Sequence, residues 1–164
     1  MSSSKHELDA PPWQRVEGTL MATARAIRQA YDRRFACLGL NLSKASLLSY
    51  LNESGPLTQT QLAEGLGLGR AATGSVVDDL EKRGCVERQP DAEDRRVWRV
   101  AIQPAGKDLV HQIHEIDRVL RKQLRSGVPR SERQRLARLL LHLQSNLSDI
   151  LSEVPESRAE WESS

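Results

Sequence analysis

Apolar side chains at Trp13, Val16, Leu20, Ala24, Ile27, Tyr31 and Phe35 recur in steps of three and four, which aligns them along one side of a long helix. Gly39 supplies the stop, because glycine takes up the left-handed backbone that ends helices. Ser43 is the expected N-cap of a shorter helix bearing Ala45, Leu47, Leu48 and Leu51, which the Gly55-Pro56 pair then breaks. The helical period returns at Leu109, Ile113, Ile116, Leu120 and Leu124. Beyond Gly127-Val128-Pro129 it resumes at Leu136, Leu139, Leu140, Leu143, Leu147, Ile150 and Leu151. These last two helices are longer than a small core requires, so their spare Leu and Ile stripes suggest a helical dimer interface; a monomeric antiparallel bundle is the alternative.

Between Leu57 and Gly84 the chain reads LTQTQLAEGLGLGRAATGSVVDDLEKRG, two short helical patterns around Gly65-Leu66-Gly67-Leu68-Gly69. A helix-turn-helix demands an apolar residue before a small one on its first helix, a glycine at the turn and an apolar inner face on the second. Leu62, Ala63 and Gly67 meet the first demands, and Leu66, Leu68, Val76 and Leu80 are the expected shared core, with Thr73 where a branched aliphatic is usual. Two β-rich stretches follow, Cys85 to Gln89 and Val97 to Ile102, joined by the charged PDAEDRR segment. A hairpin placed directly after a helix-turn-helix makes a winged helix.

From about Leu57 to Gly106 the sequence resembles the multiple antibiotic resistance regulator (MarR) family of bacterial transcription factors, through LTQTQLAEGLGL, LEKRGCVER, DAEDRR and VAIQPAGKDL. With the flanking helices the resemblance extends over about residues 13 to 152. The expected fold is mainly α, a winged helix-turn-helix with long N- and C-terminal helices forming a dimerisation domain. The expected division is a disordered N-terminus at 1–12, a helical dimerisation region at 13–40 and 105–154, a winged helix-turn-helix at 41–104, and a disordered acidic tail at 155–164.

The resemblance implies a homodimer that sets two recognition helices in successive major grooves of a pseudo-palindromic double-stranded DNA operator, with wings in the flanking minor grooves. Arg70, Ala71, Ala72, Gly74 and Ser75 then face DNA, Arg70 as a bidentate contact to guanine or phosphate. Thr60 and Gln61 are candidates for phosphate contacts, although Thr58 with Gln61 also makes a capping box. Arg95 and Arg96 at the wing tip suit a narrow minor groove, with Asp94 orienting one of them, and Arg88 and Arg99 are candidates for phosphates. Ser75 and Asp79 stand where relatives commonly carry Arg or Lys.

Regulation by a small-molecule effector is the leading expectation, an aromatic acid or acyl-thioester-like anion held among Arg28, Tyr31, Arg33, Arg34, Tyr50 and His111. Repression is the family's commoner mode, and an activator or dual regulator on the same scaffold is the alternative. Cys37 and Cys85 raise thiol sensing, and His111 with Glu115, beside His114, raises zinc; neither has the companions that chemistry needs, so no metal or cofactor is expected.

Composition sharpens these expectations only locally. The 164 residues carry a net charge of +2, which does not announce a nucleic-acid binder. Basic residues outnumber acidic ones in 13–40 and 105–154, whereas in 56–104 seven Lys and Arg face eight Asp and Glu. The acidic Asp78, Asp79 and Glu81 on the second helix of the motif therefore keep open a winged-helix protein-interaction module. No glycine-rich phosphate loop, GxSxG or HExxH is present, so no enzyme is expected. The chain has no apolar run of membrane-spanning length and no signal-like start, and is expected to be soluble and cytoplasmic.

Overall fold

The computed structural model describes Pro11 and residues 15–152; Trp13 and the two expected polar tails, apart from Pro11, lie outside the described residues. Helix α1 spans Val16–Phe35 and tightens into a 3-10 turn at Ala36–Leu38, closed by Gly39 at φ +65°. Helices α2 (Leu42–Ser54), α3 (Gln59–Leu66) and α4 (Arg70–Lys82) follow, then strands β1 (Val86–Pro90) and β2 (Trp98–Ile102), and finally α5 (Pro104–Leu124) and α6 (Arg130–Ser152). The fold is mainly α with one two-stranded sheet, as a winged helix requires. No helix among the described residues is long and apolar enough to cross a membrane.

Local chemistry sets most boundaries. Asn41, rather than the expected Ser43, caps α2: its side chain accepts from the Lys44 N–H at 3.0 Å. A second acceptor, Asp32 on α1, takes the Leu42 N–H at 2.7 Å, so the start of α2 is held from two directions. At α3 the Thr58 hydroxyl accepts from the Gln61 N–H at 3.2 Å, while the Gln61 side-chain carbonyl accepts from the Thr58 N–H at 2.9 Å. That is a complete capping box. Gly67 ends α3 at φ +62°, the left-handed turn expected of the motif.

One core organises the segment up to Arg121. Phe35, Leu47, Leu48, Leu51, Leu62, Val77, Leu80, Val86, Val100 and Val110 are fully buried in it. The inner face of α4 is Thr73, Val77 and Leu80, in steps of four and three. Val76, expected at this place, is only partly buried because the helix is rotated by one residue relative to that reading; Leu66 at the end of α3 and Leu68 in the turn are partly buried as well. Thr73 is accommodated because its hydroxyl donates to the Gly69 carbonyl at 3.1 Å, leaving the methyl for the core.

The strands pair antiparallel from Val86 with Ile102 to Pro90 with Trp98, each starting one residue later than expected. Leu57 adds a bridge to Val100, donating at 3.2 Å and accepting at 2.7 Å, which ties the link before α3 to the wing. Gly106 on α5 lies against the strand base: a Cβ there would stand 2.3 Å from the Cys85 carbonyl oxygen. Only glycine lets α5 approach this closely.

The chain divides into two compact units, with the boundary between Arg121 and Lys122 inside α5. The second unit contains α6, where no residue is buried within the single chain. Leu136, Leu139, Leu143, Leu147 and Ile150 recur every three or four residues and are all exposed. In the first unit Val16, Leu20 and Met21 at the start of α1 are exposed as well.

Candidate nucleic-acid interface and effector cavity

With 100° between successive residues of a helix, the buried set Thr73, Val77 and Leu80 turns Ala71 and Ser75 directly outward. Arg70, Ala71, Ala72 and Ser75 are exposed. Gly74 is half-buried, and a Cβ at this position would meet the Gln59 side-chain amide at 3.4 Å. Thr60 and Gln61 are exposed on the first turn of α3, where the Gln61 carbonyl is already occupied by the capping box.

The acidic residues of α4 are drawn sideways by cations of the same fold. Asp79 pairs with Lys44 of α2 at 2.8 Å, and that hydrogen bond holds the Asp79 carboxyl below its ordinary range. On the other flank Arg88 of β1 donates to Asp78 at 2.5 Å and, more closely, to Glu81, and its Nε donates to the Gln59 side-chain Oε1 at 3.2 Å. Three carboxylates that looked like a bare acidic surface in the sequence are thus engaged. Arg88, a candidate phosphate contact, is committed within the fold to these acids.

The wing tip is built on aspartates. Asp91 accepts from the Glu93 and Asp94 N–H groups at 2.9 and 3.1 Å and is ion-paired with Arg99. That guanidinium, with the two N–H groups, lowers the Asp91 pKa from its ordinary 3.8 to about 2. Asp94 accepts from the Arg96 backbone N–H at 2.9 Å, so it orients the main chain, not either guanidinium. The Arg95 and Arg96 side chains are exposed and make no hydrogen bond or ion pair among the described residues; the same holds for Arg70.

The six residues expected around an effector are not gathered at one place. Tyr31 lines a cavity of about 460 Å³ with Phe35 of α1, Leu42, Ala45, Ser46, Ser49 and Glu53 of α2, and Ile113, His114, Asp117 and Arg121 of α5. Arg33 and Arg34 border a different, shallower groove with Cys37, Glu115, Ile116 and Val119. Arg28 donates to the Ser43 hydroxyl at 3.4 Å, and Tyr50 lies against Gly65, where a Cβ would stand 2.5 Å from its ring. His111 is exposed, and His114 occupies the cavity wall instead. The helical spacing Ser46, Ser49, Glu53 and Ile113, Asp117, Arg121 is the one sequence signal for this lining, and it is indistinguishable from any amphipathic helix until the two faces are set opposite each other.

Inside the cavity the Tyr31 hydroxyl donates to Asp117 at 2.7 Å, and Arg121 donates to the same carboxylate at 2.9 Å. Burial, then the Asp117 carboxylate, raises the Tyr31 pKa, so the phenol stays protonated at neutral pH. Cys37 is exposed and donates to the Arg34 carbonyl, while Cys85 is buried beneath the strand base. No group of three metal-ligating side chains comes together among the described residues.

A model described as the MarR family matches residues 38–97, the span from the end of α1 to the wing. A solved structure of transcriptional regulator PA3341 is 33% identical, over 80% of this chain and 98% of that one, with a TM-score of 0.72. The same fold is found in S. aureus MepR, solved as a DNA complex, at 19% identity, 80% and 96% coverage and a TM-score of 0.73. It recurs in Bordetella bronchiseptica BpsR, whose DNA binding is regulated by 6-hydroxynicotinic acid, at 18% identity, 80% and 94% coverage and a TM-score of 0.75. Given a relative matched along nearly its whole length and a family model lying across the helix-turn-helix and the first strand of the wing, the chain belongs to the MarR family of winged-helix regulators.

Proposed function

We propose that this chain is a homodimeric, sequence-specific DNA-binding transcriptional regulator, a repressor that a small-molecule ligand releases from a pseudo-palindromic operator. The observation that carries the reading is the sorting of charge. Asp78, Asp79 and Glu81 are tied to Lys44 and Arg88 on the flanks of α4, while Arg70, Arg95 and Arg96, on the helix and the wing tip, have no partner among the described residues. Unpaired guanidinium groups carried on a rigid helix and a short hairpin suit phosphates and groove edges. That the similar fold of MepR was solved as a DNA complex is consistent with this reading.

Dimerisation is supported by α6, whose five aliphatic side chains along one face are exposed in the single chain. Such a stripe favours a second amphipathic surface, and a second copy of this chain supplies one by symmetry. The cavity between α1, α2 and α5 is the candidate effector site, and the ligand regulation of BpsR is consistent with it. The test is fluorescence anisotropy on a duplex from the chain's own upstream intergenic region, at two salt concentrations with nonspecific competitor. Tight, salt-sensitive binding is expected; affinity independent of salt removes the DNA reading and returns the winged helix to a protein-interaction role.

A further inference from the structure

The cavity is polar on one side and apolar on the other. Phe35, Leu42, Ala45 and Ile113 form its apolar wall, and Tyr31 stacks on Phe35 with ring centroids 5.6 Å apart. At about 460 Å³ it suits one small organic molecule and is far too large for a bare metal ion. Its charge is carried by Glu53 on α2 and by Asp117 and Arg121 on α5; α1 contributes only the neutral Tyr31, and His114 is the remaining titratable side chain.

These charges do not balance. Arg121 is the single permanent cation of the lining, and both oxygens of Asp117 receive it, at 2.9 and 2.8 Å. Asp117 in turn takes the Tyr31 hydrogen bond, so the one cation of the lining is already matched by one carboxylate. Glu53 lines the cavity, is exposed, and has no hydrogen bond or ion pair among the described residues. A ligand carboxylate that reached the terminal N–H groups of Arg121 would share that one cation with Asp117 and would face the Glu53 carboxylate besides. An ammonium group meets an unpaired carboxylate at once. The arginines Arg28, Arg33 and Arg34, on which the expectation of an anionic effector rested, do not line the cavity.

Building on the effector reading of this site, we propose that the cavity between α1, α2 and α5 binds a small aromatic amine: its ring against Phe35 and Ile113, its ammonium toward Glu53 and Asp117. The class of effector is therefore cationic, opposite in charge to the aromatic acids first expected.

Isothermal titration calorimetry of the full chain with tyramine and with 4-hydroxyphenylacetate tests this, since the two probes share a ring and differ in the sign of their charge. Tyramine is expected to bind at least about ten-fold more tightly, and Glu53→Gln to weaken it about ten-fold. Glu17→Gln makes the same change in total charge but lies about 21 Å along α1 from Tyr31, and should leave the affinity unchanged. Preference for the carboxylate, binding of neither probe, or a tyramine affinity indifferent to Glu53→Gln overturns the proposal. No DNA is present in this experiment, so a chain that failed to bind its operator would still answer it, and a preference for the acid would leave the DNA reading intact.

Discussion

Lys44 on α2 places its ammonium group 2.8 Å from the carboxylate of Asp79 on α4. On a helix expected to face DNA, Asp79 looked in the sequence like a charge set against phosphates. The pairing turns it toward α2 and neutralises it. Its counterpart on the other flank is Arg88, which holds Asp78 and Glu81. Together these contacts clamp α4 between α2 and the wing.

Arg88→Ala should therefore act mainly on stability. It leaves Glu81 and Asp78 without their cation, and a loss of about 1–2 kcal/mol is expected for a half-exposed charged cluster. Urea denaturation measures it. A variant of unchanged stability and sharply lowered DNA affinity would instead make Arg88 a direct phosphate contact.

Arg95→Ala with Arg96→Ala should do the reverse. Both side chains are exposed and unpaired among the described residues, so the melting temperature is expected to stay within about a degree or two of wild type, as for other surface changes. DNA affinity should fall, and the slope of log K against log salt should shrink by about one for each phosphate that an arginine no longer neutralises. Anisotropy titrations at several salt concentrations read both quantities, and an unaltered slope excludes the wing from binding.

Gly106→Ala tests the approach of α5 to the strand base. The added Cβ would meet the backbone carbonyl oxygen of Cys85 at 2.3 Å, which no rotamer change relieves. Destabilisation of about 1–3 kcal/mol is expected, the usual cost of overpacking. Wild-type stability in chemical denaturation would show that α5 can shift at no cost.

The wing has an acid limit. Because Asp91 titrates near 2 in the folded chain, below its ordinary 3.8, its contribution is complete above about pH 4 and is lost as the pH falls through 2. A carboxyl-carbon NMR titration should place the Asp91 midpoint well below 3.8, and Arg99→Ala should bring it back toward that ordinary value. An Asp91 midpoint near 3.8 in the unmodified chain would mean that the Arg99 contact does not persist in solution.

Leu139→Glu with Leu147→Glu places two charges on the exposed stripe of α6. Light scattering after size exclusion is expected to show a dimer for the unmodified chain and a monomer for the variant, with the winged helix still folded by circular dichroism. A monomer in both cases would remove the proposed dimer.

Much of this was legible along the chain because it depends on local chemistry. Helical spacing marked the long helices, Gly39, Gly67 and Gly127 marked turns that adopt positive φ, and Thr58 with Gln61 spelled out a capping box. Capping was missed where two acceptors competed: Asn41 and Ser43 are both good caps, and Asp32 on α1, fixing the Leu42 N–H, starts the helix earlier. The inner face of α4 was misplaced by one residue because Val76 and Val77 are equally apolar, and only packing into the core that Leu47 of α2 and Leu62 of α3 share selects between them.

The order of helices and strands, the turn glycines and the family can all be read along the chain, since periodicity, backbone freedom and short motifs are properties of neighbouring residues. Which charges are spent and which remain is settled only on folding. Lys44 and Asp79 are 35 positions apart, Tyr31 and Asp117 are 86 apart, and their attraction falls off so steeply with distance and water that it has no meaning until folding brings them within a hydrogen bond. For the same reason the charge of the cavity could not be read from the arginines of α1: a helix carries charge on every side, and only the packing of α1, α2 and α5 selects the side that lines the cavity.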